Sequence, residues 1–160
     1  MPLLFSPATA VAASLCATNE QTLFSCTTGP EHKLISLCGS QSLLQANSYL
    51  QYRFGAKKNL ELAFPREKAG SLTKFSYYHY FRFQIDKTGI SFIHRNVTYT
   101  LFTDYDGEDG TPENQSGVAV TSGKEVRFIC KGPVTNNLSR LDGVIPCDKS
   151  DPLNSCAIAF

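Results

Sequence analysis

Apolar and polar residues alternate with period two along most of the chain, the signature of half-buried β-strands. In "SYLQYRFG", Leu50, Tyr52 and Phe54 share one face and Tyr49, Gln51 and Arg53 the other. "LELAF" repeats the pattern with Leu60, Leu62 and Phe64, and Pro65 ends that strand or keeps it at an edge. "FSYYHYFRFQI" puts Phe75, Tyr77, His79, Phe81, Phe83 and Ile85 on one face, with Tyr78, Tyr80, Arg82 and Gln84 opposite. "DKTG" then reads as a turn about Lys87-Thr88-Gly89, and "ISFIHRNVTYTLFTDY" as the returning strand. In that strand Ile93, Val97, Tyr99 and Leu101 fall on one side, and Phe92, His94 and Phe102 on the other. Such a hairpin sets His79 opposite about Asn96, and His94 opposite about Phe81. "VAVTSGKEVRFIC" is a further hairpin on Ser122-Gly123, and "DGEDGTPENQSG" an acidic loop. From about residue 131 the pattern lapses into an irregular tail, with one short helix after Pro133.

About eight strands joined by short turns predict an all-β fold, an antiparallel β-sandwich or flattened β-barrel with little helix. The chain has 160 residues, which suits one domain. Residues 1–14 read as an export-signal remnant or a disordered tail, and 15–160 as a single β-domain. Ala10-Val11-Ala12 or Val11-Ala12-Ala13 would suit export cleavage, although the usual basic leading region is missing. Leu15 stands before Cys16 where a lipoprotein anchor wants a small residue. No other apolar run approaches the roughly 18 residues of a membrane span.

Six cysteines after an export-like start predict disulfides in an oxidising compartment, periplasmic or secreted. There is no CxxC pair, and His32, His79 and His94 miss zinc-finger spacing. Cys26 and Cys38 lie in one predicted hairpin, yet its register sets Cys26 opposite Leu34 and Cys38 opposite Thr22. That separates the two cysteines by about 13 Å along the strands. A disulfide needs Cα atoms within about 7 Å. Each must look elsewhere: Cys16–Cys38 pins the N-terminal segment, Cys26–Cys130 closes the long loop, and Cys147–Cys156 staples the tail.

A net charge of +1 gives no case for nucleic acid. There is no GxSxG, phosphate loop or HExxH motif, and His79 has no partner marked in the sequence, so it reads as a packed histidine before a general base. Asp104, Asp106, Glu108, Asp109 and Glu113 have the oxygen density calcium favours. Their spacing misses the EF-hand, with Asp109 where the glycine belongs, and the loop reads as a solvated hairpin tip. No metal and no cofactor is predicted. Tyr49, Tyr52, Arg53, Tyr78, Tyr80 and Arg82 offer an aromatic–basic surface suited to a protein partner or to sugar stacking, although the chain has no Trp.

"TLFSC", "LISLCGS", "YLQYRFG", "LELAFP", "SGVAV" and "FICKGP", in that order, resemble a group of small exported proteins of Gram-negative bacteria. The resemblance covers roughly residues 16–133. It implies export and a β-fold and transfers no site, since the group has no established activity. Its usual Trp-containing segment is missing here. "FSCTTG" and the general plan are also similar to the periplasmic lysozyme inhibitors, small disulfide-bonded β-barrels. The expectation is a non-enzymatic binding protein, an inhibitor or immunity partner of a cell-wall-degrading enzyme, recognising it through loops such as Arg66–Lys74 and Asp104–Gly117. The alternative is a glycan-binding module using Tyr78, Tyr80 and Arg82.

Overall fold

A computed structural model describes Pro7 and residues 11–157. Ala10 and most of the 1–14 export segment lie outside the described residues. The strands are β1 (Gln21–Thr28), β2 (Lys33–Gly39), β3 (Leu50–Ala56), β4 (Asn59–Phe64), β5 (Ser76–Arg82), β6 (Ile85–His94), β7 (Val97–Asp106), β8 (Glu113–Ser122) and β9 (Lys124–Asn136). They form one antiparallel sheet in the order β4-β3-β2-β1-β9-β8-β7-β6-β5, curled into a half-barrel. Among the described residues helix is confined to short 3-10 turns at Ser71–Lys74, Leu138–Leu141 and Ser155–Ala157. Among the described residues no helix is long and apolar enough to cross a membrane.

The curl comes from β9, which serves two partners. Its first half pairs with β8 as far as Gly117↔Ile129. Its second half pairs with β1 from Thr28↔Cys130 to Phe24↔Asn136. Between them Gly132-Pro133-Val134 bulges out of register, with Gly132 at φ 75°. Pro133 has no N–H to lose there, so the Gly-Pro pair bends the strand without ending it. The irregular tail expected from 131 therefore starts after Asn136. The halves of the sheet face each other across one core. Leu23, Phe24, Ile35, Leu50 and Tyr52 come from one half, and Tyr77, Ile90, Phe92, Leu101 and Val118 from the other. Full burial of each large apolar side chain contributes about 1.5–3 kcal/mol. Phe64 of β4 stacks on Phe92 of β6 at 4.4 Å and meets Phe75 edge-on at 5.8 Å. The two ends of the sheet thus meet through aromatic rings.

The predicted hairpin about Lys87-Thr88-Gly89 is absent. Those residues lie within β6, and the chain turns instead at Phe83-Gln84 and again at Arg95-Asn96. Gln84 has φ 61°, while Arg95 and Asn96 have φ 51° and 63°, the left-handed backbone a tight hairpin requires. The two expected strands are three, which makes nine among the described residues. His79 faces Thr88 and His94 faces Val97, not Asn96 and Phe81. Gly89 had suggested a turn; it instead sits where an added Cβ would press to 3.3 Å from a Thr100 methyl. The new turn also changes which residues share a face. Phe92 now joins Tyr99 and Leu101 in the core, while Ile93 is exposed.

The disulfides are Cys16–Cys38, Cys26–Cys130 and Cys147–Cys156, with Cα separations of 5.3, 5.6 and 5.8 Å. Cys38 pairs with Thr22 across the β1–β2 ladder as expected, and Cys26 with Ile35, one residue from the expected Leu34. The last segment covers the open edge of β5. The Tyr77 N–H donates to Pro146 O and the Asp148 N–H to Tyr77 O, each at 2.8 Å. Buried Asn154 accepts from the His79 N–H at 2.9 Å and donates to Tyr77 O at 3.2 Å.

Candidate functional site

The aromatic–basic residues do not form one surface. Tyr52 is in the core, 5.0 Å from the Phe92 ring. Arg53 is buried on the outer side of β3 and grips Glu20 with two hydrogen bonds of 2.7 and 2.8 Å. Tyr49 donates to the same carboxylate at 2.8 Å, and the Ala17 N–H does so at 2.8 Å. Burial pushes the Glu20 carboxyl up, but these donors and the Arg53 charge bring it from 4.5 to about 2. Tyr78 and Tyr80 remain half-buried on the outer face of β5, with Tyr80 opposite Lys87. Burial and the nearby Asp151 carboxylate push the Tyr78 hydroxyl up.

Arg82 belongs elsewhere. It pairs with Glu108, and the Gly107 N–H donates to Gln84 O at 2.8 Å. These contacts clamp the β7–β8 loop to the β5–β6 turn, joining two segments that the sequence reading kept apart. Within the loop, Asp106 accepts from the Glu108 N–H and Asp109 from the Thr111 N–H, each at 3.1 Å. Asp104 lies inside β7, half-buried, 3.8 Å from Arg127; burial raises its pKa against the lowering effect of Lys87 and Arg127. The acidic side chains therefore do not converge on one point. Among the described residues, the metal-capable cluster within 4.8 Å is Cys16, Glu20 and Cys38, whose sulfurs are bonded to each other. The 66–74 loop docks on β3 through Ser71, whose hydroxyl accepts the Leu50 N–H at 2.9 Å.

Phe81 and Phe83, which alternation puts on one face with Phe75 and Tyr77, are 61% and 85% exposed at the clamped turn. The His79 ring stacks on Phe81 at 5.2 Å, and His79 Nε2 lies 2.8 Å from Asp86 Oδ1. This end of the molecule presents two phenyl rings among Asp86, Asp106, Glu108, Asp109 and Glu113, with Arg82 already paired. The sequence reading missed it through the misplaced turn. With the turn at Phe83-Gln84, Asp86 falls opposite Phe81 and diagonal to His79. No protein-family model, curated protein or solved structure matches the chain.

Proposed function

We propose that this is an exported, non-catalytic protein-binding module, periplasmic or secreted, that engages a cationic protein partner with its Phe81–Phe83 end. The partner class that fits the expectation from sequence is a cell-wall-degrading enzyme, held as by an inhibitor or immunity protein. The observation that carries this reading is the pair of exposed phenyl rings on a turn clamped by Arg82–Glu108. Large aromatic side chains on a rigid support anchor protein interfaces at little cost in ordering. The surrounding carboxylates would select a basic partner and speed encounter. The three disulfides are consistent with an oxidising extracellular or periplasmic location.

The test uses the immobilised protein to capture a partner from periplasmic extract, followed by binding measurements with that partner purified. Phe83→Ala should weaken the complex by about 30-fold, the loss of a hot-spot contact of about 2 kcal/mol. Asp109→Lys should slow association and flatten its salt dependence. Equal affinity for all three proteins would sink this reading. Retention on peptidoglycan that Tyr80→Ala abolishes and Phe83→Ala does not would favour the glycan alternative.

A further inference from the structure

At the other end of β6, some 30 Å from the aromatic turn at about 3.3 Å per residue, the half-barrel opens into a cavity of about 470 Å³. Tyr52 lines it from β3, Tyr99 and Val120 from β7 and β8, and Phe128 from β9; His94 and Arg95 stand at its rim. Its volume falls within the roughly 300–1,000 Å³ of small-molecule sites, and such sites combine apolar walls with a few placed polar groups. Two features supply those groups. Tyr52 is 2% exposed, and its hydroxyl makes no hydrogen bond among the described residues. No fully enclosed polar side-chain atom lacks a partner among those residues, so this hydroxyl is open to the cavity that Tyr52 lines. At the rim, Glu61 is already held by Lys33 at 2.9 Å, whereas Arg95 forms no ion pair among the described residues. The mouth therefore carries an unspent cation above apolar walls.

We propose that this cavity binds a small amphipathic carboxylate, with its apolar body between Tyr52, Val120 and Phe128 and its anionic head at Arg95 and His94. A cation of the same shape would face Arg95 and be rejected. The site is separate from the Phe81–Phe83 end, so the two readings stand or fall independently.

Decanoate and decylamine, matched in chain and opposite in charge, are the probes for isothermal titration calorimetry on the full chain. Decanoate should bind at one per molecule, and decylamine at least tenfold more weakly. Arg95 sits at φ 51°, a backbone that Asn tolerates well, so Arg95→Asn removes the charge without straining the turn. It should weaken decanoate at least tenfold. Val120→Phe should fill the cavity and abolish binding, with near-ultraviolet circular dichroism confirming the fold. Failure of decanoate to bind, equal binding of decylamine, or unchanged affinity in Arg95→Asn would each overturn the proposal. Unchanged affinity in a folded Val120→Phe would also overturn it, by placing the ligand elsewhere.

Discussion

Glu20 and Arg53 show what one residue contributes once its surroundings are known. Alternation put Arg53 on the face opposite Leu50, Tyr52 and Phe54, and that face is the outer side of β3. What alternation does not report is that the N-terminal segment covers this face. Leu15 O accepts from Arg53 at 3.1 Å, the Leu15 N–H donates to Ser36, and Ser25 donates to Ala13 O. A polar position that would be solvated on a bare sheet thereby becomes a buried ion pair. Its pH dependence follows. The folded pKa of Glu20 is about 2 against an ordinary 4.5, so its stabilisation is complete above pH 4.5 and is lost as pH falls toward 2. At about 1.4 kcal/mol per pH unit, the swing is about 3 kcal/mol. Urea unfolding from pH 2 to 6 should show this loss in the natural chain. Glu20→Gln should be less stable at pH 6 and should lack that part of the slope, because its side chain does not titrate. Parallel pH profiles for the two proteins would refute the role given to the pair.

At the scale of elements, counting excluded a Cys26–Cys38 bond because strand geometry is nearly invariant, and the three pairings were then chosen by where the remaining cysteines fall along the chain. The turn at Phe83-Gln84 was not open to such counting. Neither residue is a Gly, Asn, Asp or Pro, and the sequence offered Lys87-Thr88-Gly89 as a better turn. Cross-strand packing outweighed the local signal, since β6 gains a continuous ladder with β7 from Ile85 to His94. The same scale explains the C-terminal segment, which sequence showed only as irregular. It covers the outer edge of β5, where Tyr77 and His79 would otherwise present free N–H groups. Cys147–Cys156 holds it in place across a separation of nine residues. Replacing both cysteines by serine should cost about 2–3 kcal/mol in the chain-entropy picture. Hydrogen exchange should then accelerate at the Tyr77 and His79 amides while the β1–β2 ladder stays protected. Unchanged exchange at those two amides would show that the segment holds the edge without its staple.

For the molecule as a whole, antiparallel all-β architecture was legible from the strand pattern. The single curled sheet was not, because its closure depends on a strand that continues through Gly132-Pro133, a pair that ordinarily reads as a stop. Cys26–Cys130 bonds β1 to β9 at the point where β9 leaves β8 for β1, across a separation of 104 residues. Its removal by paired serine substitution should cost about 4–5 kcal/mol. That exceeds the loss for either Cys16–Cys38, separated by 22 residues, or Cys147–Cys156. Denaturant midpoints of the three double variants check the ranking, and a smallest effect at Cys26–Cys130 would contradict it. The double partnership of β9 also sets a schedule. A chain made from its N-terminus completes β1 long before residues 124–136, and β8 immediately before them. Until those residues arrive, each has a raw side with no native neighbour, and neither half of the sheet can close on its own. The last strand is the latch that joins the two halves of the sheet.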